Sequence, residues 1–366
     1  MQPDDRQRPL GLINTLGRFA SIGLVLCAAA ALFVFVGGWL SPERLTQDRF
    51  MAAFEAHDGR HPGFRRNHAK GVCVTGWFDA ATDAATWSKA AIFHLQHVPI
   101  VGRFALAGGM PFAADQAATV RSMALRFLPI GAEEWRTGMN DIPVFAVNSN
   151  EGFYAQLLAS APDPATGKPN PSAMQVFLRR HPETARAMQL IKARAISSGF
   201  ADDTYNSLNA FSMTNAAGTS IAVRWATVPM QPFVAHDAAA HIGDENYLFD
   251  DLVKQIALHP LKWQLVLTIG EEGDSTRDAT VPWPKERRLA TAGTVTIARA
   301  MSEETGACND VNYDPLVLPD GIAASDDPLL ATRSSTYARS FTLRSAEKSV
   351  KPVSAVSSRD IDGSRP

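Results

Sequence analysis

The stretch Arg65-Arg66-Asn67-His68-Ala69-Lys70-Gly71 runs directly into Val72-Cys73-Val74-Thr75-Gly76-Trp77-Phe78. Residues 68–78 are rich in β-branched and aromatic side chains, which predicts a strand that opens on a histidine. The same composition predicts strands over 98–106, 220–227, 263–269 and 293–300. Helical signals interrupt them. Ser41-Pro42-Glu43 places a proline early in a first turn and predicts a helix over 41–58. Residues 183–197 read as helical, and over 247–258 Leu248, Leu252 and Ile256 share one helical face. Strands and helices without steady alternation predict an α+β domain built on an antiparallel sheet.

The chain has 366 residues, 46 % of them hydrophobic and 20 % charged. That is an ordinary globular balance, with enough apolar material to enclose a flat cofactor. The net charge of −2 excludes broad nucleic-acid binding, which needs clustered Lys and Arg. Cys27, Cys73 and Cys308 fit no zinc or CxxC spacing. Cys27 lies in an apolar run, so only Cys73 and Cys308 could pair within the domain. They are read as two buried or free thiols.

Residues 19–40 carry no charge and match the roughly 20 residues that span a bilayer as a helix. Arg6, Arg8 and Arg18 precede them, which predicts a cytoplasmic N-terminus and an exported remainder. The expected organisation is a cytoplasmic segment 1–18, a transmembrane anchor 19–40, a main domain 41–345 and a polar, disordered tail 346–366. The rival reading of 19–40 is a cleavable signal peptide, with Val36-Gly37-Gly38 as a candidate site.

A helix is also predicted over 326–344. At about 100° per residue, Tyr337 falls about 40° from Arg333 and Arg344 about 20° from it, while Arg339 points away. A phenol must lose its proton to bind ferric iron, and a cation one turn away favours the anion.

Together 65–71, Gly138-Met139-Asn140-Asp141-Ile142-Pro143-Val144-Phe145 and Arg333-Ser334-Ser335-Thr336-Tyr337 resemble the haem site of the catalase family. The agreement runs in order from about Phe64 to Arg344 and includes Trp283-Pro284 and Pro319-Asp320-Gly321-Ile322 followed by Ser325. The resemblance implies a catalase-like fold, an antiparallel β-barrel core with surrounding helices and no C-terminal flavodoxin-like domain. It implies haem b (iron protoporphyrin IX) ligated by Tyr337, with Arg333 behind the ligand. His68 becomes the acid–base group and Asn140 the hydrogen-bond donor to peroxide. Arg65, Arg103 and Arg344 become partners of the haem propionates, and Phe145 and Phe153 apolar walls.

Three departures stand out. Ala105 follows Arg103-Phe104 where the family commonly has a serine bonded to the distal histidine, so His68 is expected to lean on a backbone carbonyl or water. Asn67 replaces an aliphatic residue and Ala146 a phenylalanine, which predicts a more polar, roomier pocket. The implied function is a small, catalase-related peroxidase that reduces hydrogen peroxide or organic hydroperoxides with a small organic reductant. The alternatives are a true catalase and a non-catalytic haem store or sensor. The expected location is the periplasmic face of the inner membrane, or the soluble periplasm after cleavage, as a monomer or homodimer.

Overall fold

The computed structural model describes residues 12–37, 44–163, 165–347 and 354–363. The chain separates into two compact units, one up to Arg49 and one from Phe50 onward. In the first, helix α1 (Leu12–Val36) contains a 24-residue apolar stretch of mean hydropathy 2.6 with none of its most apolar window buried. It is long and apolar enough to cross a membrane, a test that an anchor and a signal sequence both pass. Arg6, Arg8, Gly38 and Ser41, on which the anchor, cleavage and helix-start readings leaned, lie outside the described residues. Helix α2 (Gln47–Asp58) begins later than its sequence signal, with Arg44 to Thr46 non-helical.

Among the described residues ten strands follow: β1 (Gly71–Ala80), β2 (Val98–Leu106), β3 (Arg121–Phe127), β4 (Trp135–Asn140), β5 (Tyr205–Asn206), β6 (Phe211–Thr214), β7 (Ser220–Pro229), β8 (Leu261–Ile269), β9 (Leu289–Met301) and β10 (Ile322–Ala324). Eight of them form an antiparallel barrel in the order β7-β5-β4-β3-β2-β1-β9-β8, and β8 pairs back onto β7 to close it. Closure removes the exposed sheet edge. Strands β6 and β10 extend from β7 outside the ring.

Alternation along each strand sends one set of side chains inward. Phe104, Met123, Phe127, Trp135, Trp225 and Trp263 fill the interior. Trp135 stacks on Phe127 at 4.9 Å and meets Trp225 edge-on at 5.0 Å. Each fully buried aromatic of this kind contributes about 1.5–3 kcal/mol. The complementary set on β2, β3 and β4 points outward: Arg103, Ala105, Ser122, Ala124, Gly138 and Asn140. That outer patch carries the chemistry.

The helices are α3 (Asn150–Ser160), α4 (Pro171–Arg180), α5 (Pro182–Lys192), α6 (Tyr247–Leu258), α7 (Pro328–Ala346) and α8 (Ser358–Gly363). The expected face of α6 is realised, with Leu248, Leu252 and Ile256 all buried. The segment expected to be a disordered tail carries α8, and Val356 and Ile361 join the core at 3 % and 5 % exposure. Residues 348–353 and 364–366 of that tail lie outside the described residues.

Cys73 and Cys308 are joined in a disulfide with a Cα–Cα distance of 5.4 Å, which corrects the reading of two thiols. The close approach depends on Gly306, where a β-carbon would lie 2.5 Å from the Cys73 sulfur. Cys27 is a free, exposed thiol on α1.

Candidate active site on the outer face of the barrel

Helix α7 is set by its ends. The Asp327 carboxylate caps it by accepting from the Leu329 N–H at 2.9 Å, Pro328 occupies the first turn, and Arg344 lies in the last. Leu329, Leu330 and Thr336 are buried, while Arg333 and Tyr337 face a cavity. The Arg333 guanidinium lies 6.0 Å from the Tyr337 ring and 6.0 Å from that of Phe145. It donates to Asn209 Oδ1, and Asn209 Nδ2 donates to Asp327 Oδ2 at 2.7 Å. The arginine is thus held through the helix's own cap. Among the described residues the Tyr337 hydroxyl makes no hydrogen bond. Opposite it, a β-carbon at Gly138 would stand 3.8 Å from the phenol oxygen, so the missing side chain keeps the strand surface flat there.

His68 sits at φ 56°, a left-handed conformation costing about 1–2 kcal/mol in a residue other than glycine. Three neighbours enforce it. Asn67 Oδ1 accepts from the N–H groups of His68 and Gly108, each at 2.8 Å. The Ala69 N–H donates to Gly108 O at 2.9 Å. Arg103 donates to the carbonyls of His68 at 2.8 Å and Ala69 at 3.2 Å. Gly71 makes room for that arginine, because a β-carbon there would lie 2.3 Å from Nη2. The polarity of Asn67 therefore serves the backbone. Lys70 is likewise structural: its buried ammonium donates to Asp115 Oδ1 and Asn246 Oδ1, each at 2.8 Å. Of His-Ala-Lys-Gly, the histidine is the side chain left to face the cavity.

The expected backbone partner of the His68 ring is present at Leu106, and a side chain joins it. Ser122 Oγ lies 3.1 Å from His68 Nδ1. Ala105, Ser122 and Asn140 stand side by side across β2, β3 and β4, so the hydroxyl reaches the ring from the neighbouring strand. The Asn140 amide also lines the cavity and makes no side-chain hydrogen bond among the described residues. Burial first, then the charges of Arg103, Arg333 and Arg65, lower the His68 pKa to about 3. The imidazole is neutral near pH 7 and able to accept a proton.

The three other arginines gather at one side. Arg65 donates to Cys308 O at 3.0 Å and Val311 O at 3.3 Å. Arg103 forms a two-point pair with Glu303, at 2.7 and 3.1 Å. Arg344 shares a helical face with Tyr337 as expected, yet it stands behind the cavity wall, its head on the Asn309 carbonyl and, at 2.6 Å, on Asn309 Oδ1. Burial, then the charges of Arg344 and Arg103, lower the Arg65 pKa to about 9. Burial, then Arg103, lowers that of Arg344 to about 10 against the pull of Glu303. Burial raises the Glu303 carboxyl, but Arg103, Arg65 and Arg344 outweigh it and hold the group below the usual range. Three guanidiniums thus share one central carboxylate, and among the described residues Arg65 Nε, Arg344 Nε and Arg344 Nη2 are buried without a hydrogen-bond partner. Such orphaned donors call for an anion.

Phe145 and Phe153 meet edge-on at 6.1 Å and form an apolar wall with Leu329. The whole encloses about 1130 Å³ of empty space, open mouth included. Tyr337, Arg333, His68, Asn140, Arg65, Arg103, Phe145 and Phe153 all line it. Glu303, Ser122 and Asn209 are not singled out by the sequence. An open phenol, a neutral imidazole, a guanidinium surplus and a phenyl wall suit a flat, anionic group that carries iron.

Residues 43–351 match the family model described as Catalase. The chain is 36 % identical to the catalase-related peroxidase of Synechococcus elongatus over 332 residues, 90 % of this chain and 97 % of that protein. Its identity to the catalase-related peroxidase of Mycolicibacterium paratuberculosis is 32 % over 305 residues, 82 % of this chain and 95 % of that protein. Among solved structures, catalase A from Saccharomyces cerevisiae shares the fold with a TM-score of 0.70 at 19 % identity, over 78 % of this chain and 62 % of that one. By its sequence over most of its length and by its barrel, the chain belongs to the catalase family, whose members bind haem.

Proposed function

We propose that the chain is a haem-dependent peroxidase that reduces hydrogen peroxide or an organic hydroperoxide at the expense of a small organic donor, with slow oxygen release. The observation that carries the reading is the convergence of His68, Asn140 and Tyr337 on one cavity from three separate parts of the chain. Haem b would be held by the Tyr337 oxygen, with its propionates toward Arg65 and Arg103, the arginines of the cluster that line the cavity. When bound, haem supplies the metal that takes up peroxide and the electrons that break its O–O bond.

The residues of the chain supply binding and proton transfer. Asn140 presents its amide to the peroxide and orients it. His68 Nδ1 is engaged by Ser122, so Nε2 is the nitrogen that takes the proton from one peroxide oxygen and returns it to the departing one. Arg333 lies 6.0 Å from the Tyr337 ring and, through Asn209 and Asp327, ties that face of the helix in place. Phe145 and Phe153 keep water from that side of the cavity. A peroxidase rather than a true catalase is favoured by the relatives above, which align over nearly their whole length and carry that name.

Two features support an exported location, on the periplasmic face of an inner membrane or free in the periplasm. One is the apolar helix α1. The other is the buried Cys73–Cys308 disulfide, which belongs to an oxidising compartment.

The test is a paired assay on haem-loaded protein: oxidation of a phenolic donor by peroxide beside oxygen release without donor. The reading expects donor oxidation to exceed oxygen release, and His68→Ala to keep haem and lose both. Oxygen release dominating in wild type would make the chain a catalase, and an unaffected His68→Ala would remove His68 from the chemistry.

A further inference from the structure

We infer that Ser122, on a strand adjacent to the one that carries Ala105, is the positioning residue that fixes the tautomer and aim of His68. The inference rests on the acid–base role given to His68 above. Ser122 has one hydroxyl proton and two neighbours: Ala105 O at 3.3 Å and His68 Nδ1 at 3.1 Å. A carbonyl oxygen can only accept. When the proton goes to Ala105 O, the hydroxyl lone pair faces the ring and Nδ1 must be the protonated nitrogen. That leaves Nε2 with a free lone pair, the form a general base requires. The reverse arrangement, with Ser122 donating to Nδ1, would protonate Nε2 and disable the base. The contact to Ala105 O favours the first arrangement, and a backbone hydrogen bond at Leu106 also engages the ring.

The support is rigid. Strand β3 is paired on both sides, with Ser122 opposite Ala105 on β2 and Asn140 on β4. Its neighbour Arg121 is fully buried and tied to Ser197, Gly199 and Asp203. A hydroxyl on such a platform holds the ring with little freedom to drift. The same row explains how Ala105 is tolerated. Positions 105 and 122 are cross-strand partners about 4.5–5.5 Å apart on one face, so a hydroxyl can be moved from one to the other and still reach the same ring.

The test uses haem-loaded holoenzyme and compares wild type, Ser122→Ala, Ser122→Ala with Ala105→Ser, and His68→Ala. Three quantities are read: haem content from the Soret band, the rate of reaction with peroxide, and the association rate of cyanide. Cyanide enters as HCN and must give its proton to the same base, so its rate reports on His68 without turnover. Ser122→Ala is expected to keep haem and to slow both rates about 5- to 10-fold, the equivalent of one ordinary hydrogen bond. The double variant is expected to recover most of both rates. Wild-type rates in Ser122→Ala, or a double variant no faster than Ser122→Ala, would overturn the inference. Should Ser122→Ala fail to load haem, Ser122→Thr and Ser122→Val are compared, matched in shape and differing in the hydroxyl. Threonine is expected to be the faster, and equal rates would overturn it. A fast His68→Ala would sink the acid–base reading itself, whereas a slow His68→Ala beside a fast Ser122→Ala sinks only the role of Ser122.

Discussion

Glu303→Gln is the perturbation that best weighs the arginine cluster. The carboxylate meets Arg103 at 2.7 and 3.1 Å, and the two side chains are only 11 % and 3 % exposed. Arg65 and Arg344 also bear on it electrostatically. Replacing the carboxylate with a neutral amide leaves three buried guanidiniums without their shared counter-charge. Breaking a buried pair in this way costs about 3–5 kcal/mol. In a domain of this size that lowers the melting temperature by roughly 5–8 °C. The haem-free protein should show the full loss. In the loaded protein, propionates held by Arg65 as proposed above would restore negative charge, so the loss should fall to about half or less. Urea or thermal unfolding of wild type and Glu303→Gln, each with and without haem, reads both numbers. An equal loss in the two states, or less than about 1 kcal/mol in the haem-free protein, would refute the assignment of this cluster to an anionic group.

Three further outcomes follow from the same geometry. His68 is neutral when folded down to about pH 3 and titrates near 6.5 when unfolded, so the unfolded chain binds its proton first. Stability linked to His68 is therefore intact above about pH 6.5 and drains away as pH falls toward 3, while the acid limb of the peroxide reaction lies well below pH 5; a limb between 6 and 7 in the pH–rate profile would contradict this. Cys308→Ser opens a crosslink between positions 235 residues apart and should cost about 2–5 kcal/mol in chemical unfolding, with weaker haem retention because Arg65 rests on the Cys308 carbonyl. Gly71→Ala pushes Arg103 off the His68 carbonyl and should cost about 1–3 kcal/mol while slowing the peroxide reaction, read by thermal melts and stopped flow on one preparation.

How far the sequence could be read depends on which way each side chain points. Strand β2 and helix α6 have the bounds their patterns predict, since Val98–Leu106 is almost uniformly apolar and Tyr247–Leu258 buries one regular stripe. Strands β3 and β4 escaped detection. Arg126 on β3, and Arg136, Gly138 and Asn140 on β4, point to the outer face, where function puts polar and small residues in place of the apolar ones a strand signal needs. Helices α3 and α4 were missed despite good caps at Ser149 and Asn170, because those caps are single residues inside polar, proline-bearing sequence. At the site, Tyr337, His68 and Asn140 were legible because resemblance carries residue identity along the chain. Ser122 and Glu303 were not, because their partners His68 and Arg103 are brought to them only by strand register and by a loop 200 residues away. The left-handed turn at His68 leaves one trace in the sequence, an asparagine before the histidine, whose side chain binds the backbone of the turn.

The most direct measurement is the absorption spectrum of purified protein titrated with haemin, wild type beside Tyr337→Phe. The account predicts one haem per chain in wild type, with a ferric spectrum of a phenolate-ligated iron, and lost or weakened uptake in the phenylalanine variant. Wild-type protein that stays colourless, or a Tyr337→Phe variant that binds haem with the same affinity and spectrum, would contradict it.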